Sequence, residues 1–349
     1  MSGLALWLCG ALLCGEAEAG YGDPSGGYPS RSERWLHLWT NAARVAPDEF
    51  ASEYRAGGCG FDDFSQDEQT AKDPLYLDYG LAEAARYHSE DMAENGCFQH
   101  ESCDGTDTWD RIARYYSEGG EMGENIAMGG VDGKYAVLSM WMCSTSGHRA
   151  NIMSDGFNEL GVGDATDGGN NYFTQDFAAG SLTEGAPAVR MAADDGDGGF
   201  YADYAADGAP ATMDLVVDGR AFPMQRVHGT DRRGIWWAEA ALSGGCQPWW
   251  IRYEDGAGQA GTFPATGAYR IGCDEDWAAS RPSIEDDGGE DGAADADPGG
   301  LDGASPLDDD IKLSACSAVP GEGARAGVIG CAIGCASALL RRRARGRGR

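Results

Sequence analysis

The chain has 349 residues, 42 % of them hydrophobic and 10 % aromatic, which allows two domains with additional segments at about 100–200 residues per domain. Its 57 acidic residues outnumber 26 basic ones, a formal charge of −31. That balance argues against nucleic acid or an anionic membrane surface as partner, because both need a basic face. No run of 18 apolar residues occurs, so no ordinary membrane-spanning helix is expected.

Residues 4–13 (LALWLCGALL) are apolar and precede Ala17-Glu18-Ala19, an A-x-A cleavage pattern. Residues 1–19 therefore read as a secretory signal peptide, the alternative being a buried N-terminal helix. Residues 20–31 (GYGDPSGGYPSR) are rich in Gly, Pro and Ser and are expected to form a mobile linker. In residues 32–180, Trp35, Leu38, Trp39, Ala42 and Val45 recur at helical spacing up to Pro47. Leu81, Ala84, Ala85, His88 and Met92 form a second stripe, closed by Gly96. Trp109, Ile112 and Tyr116 form a third behind the capping residue Asp107, and Tyr135, Leu138, Trp141 and Met142 a fourth. Residues 159–165 and 172–178 read as strands joined by a Gly/Asn turn at 167–171. Helices flanking a small antiparallel sheet make an α+β domain.

Residues 181–274 differ in character. Short β-like runs at 200–204, 213–217, 235–238, 249–253 and 269–271 alternate with Gly/Asp turns, which predicts an all-β sandwich accessory domain. Within it, Asp194, Asp195 and Asp197 (DDGDGG) lack the spacing of a Ca²⁺ loop and read as a solvated turn. The pairs Trp236-Trp237 and Trp249-Trp250 are assigned to core packing ahead of sugar stacking. Residues 275–310 hold thirteen Asp or Glu against one Arg, a composition expected to be disordered and extended, as a stalk would be.

The C-terminal segment 311–349 combines Cys316, an apolar stretch at 326–340 (AGVIGCAIGCASALL) and six Arg between 341 and 349. At 1.5 Å per residue the apolar stretch reaches only about 22 Å, short of the roughly 30 Å hydrocarbon core. The combination resembles a MYXO-CTERM type sorting tail, which implies processing near Cys316 and attachment at the cell surface, the only contact with membrane. A plain C-terminal anchor is the alternative.

Three of the five His lie between positions 88 and 148, among Phe98-Gln99-His100-Glu101-Ser102, Gly123-Glu124-Asn125-Ile126-Ala127, Trp141-Met142-Cys143-Ser144 and Gly147-His148-Arg149-Ala150-Asn151-Ile152. Together with His88-Ser89-Glu90-Asp91-Met92, Asn41, Arg44 and Thr174-Gln175-Asp176-Phe177, these pieces resemble the CAP superfamily (cysteine-rich secretory, antigen 5 and pathogenesis-related proteins), in its bacterial SCP-like branch. The resemblance covers residues 32–180. It implies a three-layer α-β-α sandwich with a central cleft, lined here by His100, Glu124 and His148. Where the fuller family pattern has a second Glu, this chain has Ser144.

Two neutral imidazoles and a carboxylate suit a Zn²⁺-like ion with open positions for water. Without the second carboxylate, binding at His100 and His148 is expected to be weak and pH-sensitive. The structural alternative has Glu124 tying the loops together through N–H groups. No H-E-x-x-H or G-x-S-x-G pattern marks a catalytic centre. His88, on the second helical stripe, reads as a core group. Outside the two end segments six Cys remain: Cys59, Cys97, Cys103 and Cys143 in the first domain, Cys246 and Cys273 in the second. The last two are expected to pair. The first four allow three connectivities, of which we favour Cys97–Cys103 with Cys59–Cys143.

The resulting expectation is an exported, surface-attached protein in which binding outranks turnover: the partner is an extracellular surface molecule, a small apolar ligand or a weakly held divalent ion. Metal-assisted extracellular hydrolysis is the rival, and an adhesin or spacer with an idle cleft the third reading.

Overall fold

The computed structural model describes residues 20–118, 120–181 and 187–284. The expected signal peptide, most of the acidic stalk, and the sorting tail with Cys316 lie outside the described residues. Among the described residues no helix is long and apolar enough to cross a membrane.

Helix α1 (Arg31–Val45) starts at a capping box in which Ser30 Oγ accepts from Glu33 N at 3.1 Å and Glu33 accepts from Ser30 N at 2.7 Å. Helix α2 (Ala51–Ala56) and a 3₁₀ turn at Phe61–Asp63 follow. Strand β1 (Tyr76–Leu77) leads into α3 (Tyr79–Asn95), capped by Asp78 and closed by Gly96 in the left-handed region at φ 65°. After α4 (Thr108–Ile112), with Asp107 as its cap, come β2 (Met122–Gly129) and α5 (Gly133–Tyr135). Then follow α6 (His148–Ile152), β3 (Glu159–Thr166) and β4 (Asn171–Ala178). The sheet runs β1-β3-β4-β2, parallel only between β1 and β3. Mixed helix and sheet content is thus as expected.

Three local expectations are corrected here. The fourth helical stripe is not one α-helix: α5 passes into a π-helical turn at Ala136–Trp141, and Met142 N donates to Val137 O, five residues back. Strand β2 was not anticipated, because Gly123 and Asn125 have low strand propensity and residues 123–127 are buried on both faces, which erases a period of two. The third concerns residues 20–31, which are pinned and not a mobile linker. Tyr21 Oη donates to Arg190 O (3.0 Å) and accepts from Leu77 N (2.7 Å), while the Asp23 carboxylate accepts from Thr266 Oγ1 at 2.6 Å. Gly- and Pro-rich composition signals turns; it does not report whether the turns find partners.

The remaining strands are β5 (Ala192–Asp194), β6 (Gly199–Ala205), β7 (Thr212–Val217), β8 (Arg220–Pro223), β9 (Gln225–Thr230), β10 (Arg233–Glu239), β11 (Gln247–Glu254), β12 (Ala260–Phe263), β13 (Ala268–Ile271) and β14 (Trp277–Ala278). They form one sheet ordered β5-β6-β10-β9 and another ordered β14-β13-β11-β7-β8, with β12 on β11. All five predicted runs are strands. Those not foreseen are mostly short pieces at sheet edges, where alternation is weakest. Side chains of the two sheets meet: the Phe200 ring lies 5.3 Å from that of Trp249. Trp249 and Trp250 are buried, and Trp236 and Trp237 half-buried.

This second region covers the outer side of α1, so the helix is buried almost all round although its sequence shows a single stripe. Trp35 packs on Tyr201 at 5.3 Å. Asp194, read from sequence as part of a solvated turn, is only 1 % exposed and pairs with Arg31 (3.0 Å) and Arg34 (3.6 Å). The acidic stalk also begins later than composition implies. Asp276 pairs with Arg34 at 2.6 Å, and Arg281 donates to Gly267 O at 2.6 Å, so residues 275–284 are ordered. A buried guanidinium recruits these carboxylates.

Candidate functional site

His100 stands between α3 and α4. The Cys97–Cys103 disulfide closes its loop, with 5.9 Å between Cα atoms, and its carbonyl accepts from Thr108 Oγ1 (2.7 Å) and Arg111 Nη1 (2.8 Å). The bridges Cys59–Cys143 and Cys246–Cys273 are present as well, the pairing expected from the sequence. Glu124 projects from β2. Its Oε1 meets His100 Nδ1 at 2.7 Å and its Oε2 takes Arg111 Nη2. Burial alone would raise the Glu124 carboxyl. The Arg111 charge, then the hydrogen bond with His100, outweigh it and hold the carboxyl below its ordinary value. Burial likewise opposes charge on His100, but the hydrogen bond and charge of Glu124 prevail and raise its pKa.

His148 opens α6. That helix is tied to β2 through amides: Asn125 Nδ2 donates to His148 O (3.2 Å) and Gln175 Oε1 (2.9 Å), and Asn151 Nδ2 donates to Asn125 Oδ1 (2.9 Å). These contacts explain why Asn125, Asn151 and Gln175 accompany the titratable residues in the motifs. Burial lowers the His148 pKa to about 4, and the charge of His100 acts in the same direction. Nε2 of both His100 and His148 is buried without a hydrogen-bond partner among the described residues. Ser144 is not joined to them by a hydrogen bond; its Oγ accepts from Ser146 N at 3.2 Å within a turn.

Two residues that sequence reasoning passed over belong to the site. Arg111, fully buried, neutralises Glu124. Asp176 sits opposite Glu124 in the β2–β4 register, where burial and then the Glu124 charge push its carboxyl well above its usual value. A charged residue in a strand with no exposed face is the signal that could have marked Asp176. A group of three donors, Asp91, Cys97 and Cys103, lies within 4.8 Å. Its two sulfurs are joined to each other, so no thiolate is available there.

The other histidines are structural. His88 Nε2 donates to Gln99 O and His37 Nε2 to Leu75 O, each at 3.0 Å, and His228 Nδ1 meets Glu49 Oε2 at 2.5 Å. Burial lowers His37 and His88 to about 4. A histidine neutral in the fold but basic when unfolded removes stability as pH falls from about 6.5 toward 4. Asp203, pushed up to about 6 by burial, works in the opposite direction. For His37 alone the loss between pH 7 and pH 5 is about 2 kcal/mol. His37→Gln is therefore expected to flatten the pH dependence of urea stability by that amount, and an unchanged slope would contradict a neutral buried ring.

Comparison with known proteins finds similarity over part of the chain. The chain is 39 % identical over 103 residues to "Uncharacterized membrane protein YlbC" of Bacillus subtilis, covering 30 % of this chain and 28 % of that protein. It is 31 % identical over 138 residues to "Uncharacterized protein YkwD" of the same organism, covering 40 % and 51 %. The chain thus spans about half or less of the curated relatives it matches. A solved extracellular protein containing an SCP domain from Bacillus anthracis is 37 % identical, with 30 % of this chain and 33 % of that one covered, at a TM-score of 0.26. A structure titled NaASP2 with Zn²⁺ is 15 % identical, covering 47 % and 87 %, at a TM-score of 0.28. Residues 39–177, which hold every member of the His100–Glu124–His148 site, match the model of the CAP family, the cysteine-rich secretory protein family.

Proposed function

We propose that this is an extracellular CAP-domain protein whose cleft binds a ligand and does not turn it over. One observation carries the reading. Both Glu124 oxygens are engaged, by His100 and Arg111, so Glu124 is not free to act as a base, while Nε2 of His100 and of His148 is unpartnered. Glu124 thereby orients His100 and directs its free nitrogen away from the carboxylate.

Imidazole nitrogens are donors that a divalent ion such as Zn²⁺ takes, and His100 and His148 would hold it with Glu124 in support, although the three side chains do not form one donor group within 4.8 Å. When bound, the ion supplies open coordination positions for a donor from a partner or solvent. Two protein ligands make that binding weak. The extracellular setting rests on three disulfides, which persist outside reducing compartments. Attachment through residues 311–349 after processing near Cys316, and layering as an α-β-α sandwich beside a two-sheet β-sandwich, belong to the same proposal. The ring contact between Phe200 and Trp249 supports the latter.

Calorimetric titration with Zn²⁺ tests the site. The wild type is expected to give a weak binding isotherm that the His100→Ala/His148→Ala double variant lacks. Equal heats from both proteins remove the metal reading.

A further inference from the structure

A second site opens on the junction between the two regions, away from His100. Two adjoining hollows of about 310 and 760 Å³ share Asp73, Tyr76, Arg190 and Arg233. Both volumes fall in the range of small-ligand sites, about 300–1,000 Å³. One wall comes from the segment entering β1, the others from the loops around β6, β10 and β11.

The larger hollow carries three Arg (Arg190, Arg232, Arg233) and three Asp (Asp73, Asp207, Asp255). Some of these charges are already matched. Arg233 pairs with Asp73 at 2.5 Å, and Asp255 Oδ1 caps its own turn by accepting from Ala257 N and Gln259 N. What is left is unbalanced in an informative way. Arg190 is 7 % exposed, and its guanidinium is held by Pro74 O and lies 3.9 Å above the Tyr76 ring. Its Nε is buried with no hydrogen-bond partner among the described residues. An unsatisfied buried donor of this kind is rare, and Arg190 makes no ion pair among the described residues, so its charge is left unpaired beneath the hollow. Arg232 is exposed at the rim and makes no ion pair among the described residues, and Asp207 beside it makes none either.

We propose that this groove binds a small polar ligand bearing a carboxylate. The carboxylate is taken by Arg232 over the fixed positive floor of Arg190, and a hydroxyl or ammonium donor of the same ligand is taken by Asp207. Polyanions fit poorly, because the Asp residues offset the Arg residues in a chain whose charge is already −31. Apolar ligands fit poorly too: Tyr76 is the one aromatic lining the larger hollow, and a guanidinium covers its ring. Guanidinium to carboxylate is the strongest pairing these groups offer.

Calorimetry on the full mature chain, with digalacturonate and glycylglutamate as two sources of the carboxylate and neutral galactobiose as the control, tests this. At least one acid is expected to bind and galactobiose not. Which acid binds assigns the source. Arg232→Ala and Asp207→Asn, both at exposed or rim positions, are expected to keep the wild-type melting temperature, with Arg232→Ala weakening the acid about tenfold. No binding of either acid, equal binding of galactobiose, or unchanged affinity in Arg232→Ala would overturn the proposal. Because His100→Ala/His148→Ala leaves this groove intact, its failure and that of the metal site are separable.

Discussion

Arg111→Met is expected to destabilise the protein by about 3–5 kcal/mol, because it strands a buried carboxylate. Arg111 is fully buried and Glu124 is 5 % exposed, so water cannot replace the lost guanidinium. Asp176 faces the same spot and already sits far above its normal pKa, so the cluster cannot accept a second uncompensated negative charge. Methionine restores most of the volume, so the loss comes from the Glu124 ion pair and the Arg111 Nη1 hydrogen bond to His100 O, not from packing. Adding Glu124→Gln removes the stranded charge, and the double variant is expected to be more stable than Arg111→Met alone. Urea melts of the four proteins in the cycle measure this coupling. A loss below about 1 kcal/mol for Arg111→Met would show that the pair behaves as a solvated one and does not hold the site together.

Gly161→Ala should lower stability by about 3 kcal/mol or more, at the upper end of overpacking costs. A Cβ at Gly161 would lie 2.0 Å from the Leu81 carbonyl carbon and 2.1 Å from Ala82 N, backbone atoms of α3 that cannot swing aside. A Cβ at Gly163 would lie 2.3 Å from Arg86 N one turn further along, so the helix rests directly on β3 at two successive points. Displacing α3 also displaces the Cys97–Cys103 loop that carries His100. The expected result is therefore a melting temperature lower by roughly 6–12 °C, together with weakened Zn²⁺ binding. Gly169→Ala is the control: a Cβ there would meet only Asp167 Oδ1, at 3.5 Å, and a change within about 0.5 kcal/mol is expected. Equal effects at the two glycines would mean that close approach of helix and sheet is not what Gly161 provides.

Much of the site was legible because its parts are local. The stripe ending at Met92, the cap at Asp107 and the short loop between Cys97 and Cys103 each involve residues a few positions apart. His100, Glu124 and His148 were named through the family resemblance and not through periodicity. What the resemblance assigned as one lining set divides in the structure into two free imidazole nitrogens and a carboxylate engaged by His100 and Arg111. Nothing in the sequence pairs Arg111 with Glu124, since a buried ion pair leaves no pattern in either segment.

By itself the amino-acid order determined the helices α1, α3 and α4, the β3–β4 hairpin, the β-rich character of residues 181–274 and the parity of the cysteines. Those features follow from side-chain spacing, capping groups and turn residues, which act over one or two turns of chain. Tertiary structure alone decided that residues 20–31 are fastened down, that Asp194 is an interior partner of Arg31 and Arg34, that β2 lies at the edge of the sheet beside β4, and that Arg190 and Arg232 share a groove. The reason is separation: Asp194 lies 163 residues from Arg31 in the chain, and whether a buried charge finds its counter-charge over such a distance depends on how the two regions pack.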